Sequence, residues 1–246
     1  MVKNMNKIFE ILNKYYGYNS FRKGQYEIIS NILRGRDSFC ILPTGAGKSI
    51  CYQIPALMFN GITIVISPLI SLMKDQVDNL NSNGINARYI NSTQKLEVSD
   101  EIIELCKKGE VKLLYIAPEK LENEFFKRKL RLLNISQIAI DEAHCVSMWG
   151  HDFRKSYGLI AEFIDNLRIR PVVTAFTATA TEVVRKDVIN LLKLRNPYIY
   201  IGSFDRENLE IKLYIEEDKL ELVKDIIRER EGEAGIIYCA TRKEVD

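Results

Sequence analysis

The sequence of 246 residues contains no run of about 18 apolar residues, the length that a membrane-spanning helix requires. Residues 1–7 lead into an amphipathic stretch and not into an apolar core, so no secretory signal is expected. Internal repeats and low-complexity tracts are also missing. These absences argue against a membrane protein or a disordered chain. They favour a cytoplasmic protein.

Paired cysteines and an excess of one charge are missing as well. The five cysteines are widely spread and form no Cys-x-x-Cys motif, which favours reduced thiols over a zinc site or a disulfide framework. The 35 Lys and Arg residues nearly balance the 33 Asp and Glu residues, which leaves a net charge of +2. A chain this close to neutral has no global attraction to nucleic acid, so any binding of DNA or RNA needs a local surface.

Short β-rich apolar segments alternate with segments whose apolar residues recur at helical spacing, as in 69–80 and 183–192. Repeated strand–helix units imply right-handed crossovers and a mainly parallel sheet, so the predicted fold class is α/β. Several of the segments are apolar without alternation, which suits a sheet covered by helices on both faces. The predicted strands are Ser38–Leu42, Thr63–Ser67, Lys112–Ala117, Gln137–Asp141, Val172–Thr177 and Tyr198–Gly202.

The length lies between one and two average domains, at roughly 150 residues per domain. We predict a first domain at residues 1–205 and the beginning of a second, incomplete domain at residues 206–246. The second part is predicted to contain a strand at Leu209–Ile215, a helix at Asp218–Arg230 and a strand at Gly235–Tyr238. A piece of about 40 residues buries too little surface to fold alone.

A glycine-rich segment follows the first predicted strand and opens a helix, and residues 41–50 read ILPTGAGKSI. Glycines let backbone N–H groups face phosphate oxygens, and the helix N-terminus adds partial positive charge. Lys48 is long enough to reach the β- and γ-phosphates of a nucleotide, and the Ser49 hydroxyl can ligate Mg²⁺. Leu42 stands where the strict phosphate-loop pattern has its leading glycine, so the loop alone indicates a nucleotide site without proving it.

Two adjacent carboxylates, Asp141 and Glu142, end the apolar strand that precedes Ala143 and His144. Ligands of parallel sheets bind at the carboxyl ends of the strands. Asp141 is placed to hold Mg²⁺, and Glu142 is placed to orient or deprotonate an attacking water, as phosphoryl transfer requires. The alternative is that the pair only caps the next helix. The presence of Lys48 and Ser49 in the same repeating chain favours the catalytic interpretation.

In this order the motifs resemble those of superfamily-two helicases, and specifically the RecQ family of ATP-dependent DNA helicases, over essentially the whole chain. The resemblance implies a RecA-like P-loop NTPase domain that uses ATP and Mg²⁺. Residues 16–25, YGYNSFRKGQ, resemble the adenine-reading motif, in which Tyr18 stacks on adenine, Arg22 supports the nucleotide and Gln25 hydrogen-bonds the base edge. The phosphate-loop residues that the resemblance assigns to the nucleotide are Pro43, Thr44, Gly45, Ala46, Gly47, Lys48 and Ser49.

The most diagnostic stretch is SMWGHDFR at 147–154, which resembles the aromatic-rich loop of RecQ helicases. Trp149 is the only tryptophan of the chain, and an exposed Trp offers stacking to unpaired bases. The alternative is that Trp149 packs in the core. The predicted contacts to single-stranded and duplex DNA are Ser67, Lys74, Trp149, His151, Phe153 and Arg154.

Coupling between the ATP and DNA sites is also implied by the resemblance. The segment 175–180, AFTATA, is similar to the motif that couples hydrolysis to movement, through Thr177 and Thr179. His144 takes the family role of relaying between ATP and DNA.

The resemblance implies 3′-to-5′ unwinding coupled to ATP hydrolysis by the full-length protein, with single-strand-binding or repair proteins as candidate partners. It also implies association with the nucleoid in a bacterium, or a nuclear location in a eukaryote. The family completes its ATP site with arginines from later motifs than those in residues 1–246. We therefore expect this chain alone to hydrolyse ATP weakly and to unwind no duplex. Two other interpretations stay open: a nucleotide- and DNA-binding module without helicase activity, and an RNA-acting box helicase. The oligomeric state is not predicted.

Overall fold

The computed structural model describes residues 2–150, 152–203, 209–215 and 218–241. The chain divides into two compact units, Met1–Phe204 and Asp205–Asp246. Within the described residues, no helix combines the length and the apolar character needed to cross a membrane.

The first unit is built on one sheet of seven strands, all parallel, in the order β3-β4-β2-β5-β6-β1-β7. This confirms the predicted α/β fold with a parallel sheet. The strands are β1 (Ser38–Ile41), β2 (Ile62–Ile66), β3 (Ala87–Ile90), β4 (Leu113–Ile116), β5 (Ile135–Ile140), β6 (Val172–Thr177) and β7 (Tyr198–Ile201).

Helices connect the strands and cover both faces of the sheet. The α-helices are α1 (Val2–Tyr16), α2 (Gln25–Leu33), α3 (Lys48–Met58), α4 (Ile70–Ser82), α5 (Leu96–Lys107), α6 (Glu124–Arg131), α7 (Leu159–Asp165), α8 (Glu182–Leu191) and, in the second unit, α9 (Lys219–Glu229). Short 3₁₀ helices span Pro118–Glu122, Ala143–Val146 and Lys155–Gly158.

Strand β2 explains why the strand sequences are apolar without alternation. Its residues Ile64 and Ile66 pack into the core on one face of the sheet, while Val65 packs into the core on the other face. On β5, Ile138 and Ala139 divide between the two faces in the same way. Because successive side chains of a strand point to opposite faces, a sheet covered on both sides favours apolar residues at successive positions.

The sequence prediction missed β3 and was wrong about two strands of the second unit. Strand β3 has the half-buried Arg88 and Tyr89 at its centre, so it lacks a continuous apolar signal. The predicted strands Leu209–Ile215 and Gly235–Tyr238 are irregular in the structure. A strand exists only through hydrogen bonds to a neighbour, and neither segment forms a ladder among the described residues.

Helix α9 confirms the predicted helix of the second unit. Its N-cap is Asp218, whose carboxylate accepts hydrogen bonds from the backbone N–H groups of Leu220 and Glu221, both at 3.1 Å. This local side-chain bond satisfies N–H groups that the first turn of a helix cannot pair, so the sequence alone specifies where the helix begins.

Candidate nucleotide site and aromatic loop

The phosphate-loop segment connects β1 to α3, and its backbone has the conformation that the glycines allow. Gly45 and Gly47 both have φ of +80°, the left-handed region that favours glycine. A Cβ atom at Gly47 would overlap the side-chain amide of Gln25. Helix α3 begins at Lys48, so its unpaired N–H groups follow directly on the loop. This is the arrangement of a helix N-terminus that binds an anion.

The predicted adenine-reading motif is attached to this loop by hydrogen bonds. The Gln25 amide nitrogen donates to the carbonyl oxygens of Ala46 (3.2 Å) and Gly47 (3.1 Å), and its oxygen accepts from the backbone N–H of Arg22 (2.9 Å). The Arg22 guanidinium donates to the carbonyl of Gly45. The structure thus shows both amide atoms of Gln25 bonded to the protein backbone, whereas the sequence interpretation directed them at a base.

The two carboxylates follow β5 as predicted. Asp141 is only 8% exposed, its N–H donates to the carbonyl of Ile66 (2.8 Å), and its carbonyl accepts from the Tyr157 hydroxyl (3.0 Å). One carboxylate oxygen of Asp141 accepts from the N–H of Glu142 (3.0 Å). Burial, followed by the adjacent Glu142 charge, raises the pKa of Asp141 to about 6, and the Lys48 charge opposes that rise.

A cavity of about 480 Å³ brings most of the predicted nucleotide residues together. Four further residues line it that the sequence interpretation did not assign to the nucleotide: Ser20, Ile50, Leu72 and Gln76. The predicted residues that line it are Tyr18, Arg22, Gln25, Thr44, Gly45, Gly47, Lys48, Ser49, Asp141 and Glu142.

Two predicted nucleotide residues take part through the loop backbone instead. The carbonyl of Pro43 accepts from the N–H of Ala46 (3.0 Å), and this turn shapes the loop. The ammonium group of Lys48 lies 3.3 Å from the carbonyl oxygen of Leu42, across the same turn. Contacts within the loop itself therefore hold its turn conformation.

The Ser49 hydroxyl is oriented by Gln76, which sequence reasoning did not single out. The Gln76 amide nitrogen donates to Ser49 Oγ (3.1 Å), and its oxygen accepts from the amide of Gln53 (3.0 Å). Gln76 belongs to the segment 69–80, whose helical spacing is the sequence signal there, and that spacing predicts a helix and not a site. Within the described parts of the chain, no three His, Cys, Asp or Glu residues form a metal-binding group.

His144 does not line the cavity but lies buried beside it. Its Nδ1 atom lies 2.9 Å from Thr177 Oγ1 and 3.3 Å from a carboxylate oxygen of Glu142. The Thr177 hydroxyl donates to the carbonyl of Thr179 (2.9 Å), so it accepts from His144 and the imidazole carries its hydrogen on Nδ1. His144 thus bridges a cavity carboxylate and the end of β6.

The aromatic loop carries its single tryptophan on the surface. Trp149 is 76% exposed and Phe153 is also exposed, so the alternative that Trp149 packs in the core is wrong. The Arg154 guanidinium donates to the Asp152 carboxylate (3.1 and 3.2 Å) and to the Pro68 carbonyl (3.1 Å). Arg154 therefore ties the aromatic loop to the segment that follows β2. His151 lies outside the described residues.

The remaining predicted DNA contacts on the segment after β2 differ in exposure. Lys74 is exposed on α4, but Ser67 is 2% exposed and its hydroxyl oxygen has no partner among the described residues. The Ser67 N–H donates to the carbonyl of Ile116 (3.2 Å), which continues the sheet ladder by one residue. Because the sheet ladder continues through its backbone, the Ser67 side chain is buried and not exposed at the surface in this conformation.

Comparison with known protein families matches residues 22–187 to the DEAD/DEAH box helicase model. Among curated proteins, the chain is 49% identical to the ATP-dependent DNA helicase RecQ of Bacillus subtilis, over 98% of this chain and 41% of that protein. It is 46% identical to the protein of the same name from Pasteurella multocida, over 96% of this chain and 37% of that protein. The chain thus spans about two fifths of the length of these relatives.

Solved structures add the fold. The crystal structure of the helicase MrfA matches 98% of this chain with a TM-score of 0.73 and 18% identity, over 39% of its own length. The Pyrococcus furiosus Hef helicase domain matches 76% of this chain with a TM-score of 0.59 and 21% identity, over 38% of its length. At these identities the likeness is one of fold.

Proposed function

Because this chain belongs to the DEAD/DEAH box helicase family and is of RecQ type, we propose that it carries the ATP-binding lobe of an ATP-dependent DNA helicase. The full-length protein would unwind DNA 3′-to-5′ at the expense of ATP. The observation that carries this proposal is the convergence of the phosphate-loop residue Lys48 and the strand-end carboxylate Asp141 on one cavity. Structural neighbours support the fold alone.

The cavity residues fit a nucleotide with Mg²⁺. When bound, Mg²⁺ neutralises phosphate charge. Ser49 and Asp141 would hold it, since a hydroxyl and a carboxylate are oxygen ligands that suit this ion and leave positions for phosphate and water. Lys48 and the N–H groups of 44–49 would bind the phosphates, and Glu142 would orient or deprotonate the attacking water.

The exposed Tyr18 ring at the cavity rim would stack on adenine, with Arg22 beside it. Gln25 would then reach the base edge only by exchanging its present bonds to the loop carbonyls. We therefore propose that Gln25 holds the phosphate loop in the conformation described here and reads the base after that exchange.

Single-stranded DNA would bind across the aromatic loop and the start of α4. Trp149 and Phe153 are exposed rings on which bases can stack, and the exposed Lys74 supplies local positive charge. Arg154 and His151 would support the loop or the DNA. His144, Thr177 and Thr179 would couple the two sites, because His144 bonds to both Glu142 and Thr177.

Residues 206–246 would begin a second RecA-like domain. We also propose a cytoplasmic location and partners beyond DNA, such as single-strand-binding or repair proteins. The four buried free cysteines suit a reducing compartment.

Binding of fluorescent ADP with Mg²⁺, and of labelled single-stranded DNA and RNA of one sequence, tests the proposal. We expect saturable nucleotide binding that requires Mg²⁺, and tighter binding of DNA than of RNA. Tighter binding of RNA would favour an RNA-acting box helicase. ATP hydrolysis by the full-length protein that DNA fails to stimulate, together with normal binding of both ligands, would favour a binding module.

Replacing Trp149 with alanine is expected to weaken binding of single-stranded DNA about 5- to 150-fold, because stacking of one base is worth ~1–3 kcal/mol. Anisotropy of a labelled oligothymidine at fixed salt measures the Kd. Phe125→Ala is the matched control, since Phe125 is an aromatic residue of α6 that is 65% exposed outside the loop. Equal Kd values for wild type and Trp149→Ala would remove Trp149 from the DNA site.

Lowering the pH through about 6 is expected to weaken nucleotide binding that depends on Mg²⁺. The pKa of Asp141 is raised to about 6, so below that pH the carboxyl holds a proton and loses the charge that Mg²⁺ requires. At limiting Mg²⁺ the affinity should fall by up to about tenfold per pH unit. Titrations of fluorescent ADP between pH 5 and 8 measure it. Asp141→Asn should bind ADP weakly at every pH in this range, without the fall in affinity near pH 6. If Asp141→Asn still loses affinity near pH 6, another group is responsible for the pH dependence.

A further inference from the structure

The exposed Trp149 is held at its base by a buried serine. Ser147 is fully buried, its hydroxyl oxygen accepts from the N–H of Trp149 (3.1 Å), and its carbonyl accepts from the N–H of Gly150 (3.0 Å). A Cβ atom at Gly150 would overlap the carbonyl oxygen of His144, so the turn is tightly wound. The backbone on both sides of Ser147 is therefore fixed although the Trp149 side chain is exposed.

The serine is in turn fixed from another element. The Ser147 hydroxyl donates to a carboxylate oxygen of Asp187, with an O–O distance of 2.5 Å. A hydrogen bond from a hydroxyl to a carboxylate is short and stronger than a neutral one. Asp187 is half-buried on α8, between Val184 and Val188, which anchor that helix in the core. The bond therefore connects the aromatic loop to a rigid part of the sheet layer.

The same connection joins the loop to the segment proposed to couple the two sites. Helix α8 follows β6 after only four residues, and β6 ends at Thr177. Thr177 holds His144 at one end of the segment 144–149, and Asp187 holds Ser147 near its other end. The segment between the nucleotide cavity and Trp149 is thus fixed at two points, by one residue of β6 and one residue of α8.

We propose that Asp187 is a positioning residue for DNA binding, which holds the Trp149 ring ready for stacking through the Ser147 hydroxyl. The proposal rests on the proposed function, in which Trp149 stacks on an unpaired base. A loop that is ordered before binding loses less conformational freedom when DNA binds. Loss of the anchor should therefore weaken DNA binding without removing the stacking ring itself.

The test uses the chain of residues 1–246, in which Trp149 is the only tryptophan and its fluorescence reports on this loop alone. In Asp187→Ala we expect a lower fluorescence anisotropy of Trp149 and a Kd for oligothymidine that is about 2- to 10-fold higher. Asp187→Asn keeps an oxygen that accepts from Ser147, so it should restore most of both values. Glu182→Ala, on the same helix but exposed and paired with Lys186, should match wild type.

A double-mutant cycle with Ser147→Ala makes the test specific for the hydrogen bond. Ser147→Ala also removes the acceptor of the Trp149 N–H, so it should weaken DNA binding at least as much as Asp187→Ala. The double variant should lose no more than Ser147→Ala alone. If Asp187→Ala does not fold, Ser147→Ala and Asp187→Asn carry the same comparison. Unchanged Trp149 anisotropy and Kd in Asp187→Ala or Ser147→Ala would overturn the positioning role.

Failure of the proposed function would look different. If Trp149→Ala binds DNA as wild type does, stacking at Trp149 is excluded and the positioning proposal falls with it. If Trp149→Ala binds weakly while Asp187→Ala binds normally, stacking stands and only the role of Asp187 is overturned.

Discussion

Replacing Lys48 with alanine is expected to slow ATP hydrolysis about 10²–10³-fold, the cost of removing one group that stabilises developing charge. Lys48 lines the same cavity as Asp141 and follows two glycines in the left-handed conformation. Its ammonium group would leave the carbonyl of Leu42, 3.3 Å away, to meet the phosphates. Its loss also removes a charge that opposes the raised pKa of Asp141. Hydrolysis by the full-length protein at saturating Mg²⁺–ATP, with and without single-stranded DNA, measures the effect.

Two further variants separate charge from geometry. Lys48→Arg keeps the charge but not the compact ammonium group, so it should recover binding of fluorescent ADP more than hydrolysis. Lys107→Ala is the control, because Lys107 is a lysine in the last turn of α5 that pairs with Glu104 at 2.6 Å and does not line the cavity. Wild-type hydrolysis by Lys48→Ala would mean that residues 42–49 are not the phosphate site.

Replacing Asp37 with alanine is expected to lower the free energy of unfolding by about 3–5 kcal/mol, the usual cost of breaking a buried ion pair. Asp37 is almost fully buried just before β1 and pairs with the Arg170 guanidinium at 2.7 and 3.1 Å. Its carboxylate also accepts from the N–H groups of Val173 (2.9 Å) and Arg195 (2.7 Å). One carboxylate therefore connects the starts of β1 and β6 with the segment that precedes β7.

Urea unfolding followed by circular dichroism measures this loss. Asp165→Ala is the matched control, because its partner Lys193 lies 2.6 Å away but both side chains are exposed. Exposed pairs contribute about 0–1 kcal/mol, so Asp165→Ala should change little. Equal stabilities of the two variants would show that the Asp37 network does not stabilise the sheet. Because β1 leads directly into the phosphate loop, we also expect Asp37→Ala to bind nucleotide more weakly than wild type at urea concentrations near the midpoint of its unfolding.

The sequence by itself determined the features that depend on neighbours along the chain. Apolar segments with intervening helical patterns predicted the parallel sheet and six of its seven strands. The phosphate loop could be read because its glycine conformations and the start of α3 follow from adjacent residues. Since parallel strands end at one edge of a sheet, the loop after β1 and Asp141 after β5 were expected to meet, and both line one cavity.

Only the tertiary structure decided which distant polar groups meet. Asp37 and Arg170 are 133 positions apart, and Ser147 and Asp187 are 40 apart. Neither pair has a spacing or a motif that a single sequence reveals. Asp37 meets Arg170 because the sheet order places β1 beside β6. Ser147 meets Asp187 because α8 packs against the loop after β5.

The same reason explains two side chains whose contacts in the structure differ from those expected from the sequence. Ser67 was expected to face DNA, but the ladder between β2 and β4 continues through its backbone and buries its hydroxyl. Gln25 was expected to face a base, but the close approach of Gly47 lets its amide bond to the loop. Residue type and spacing along the chain fix what a side chain can bind. Packing of remote elements fixes which of those partners it has, because burial and hydrogen bonding depend on groups that are near only in the folded chain.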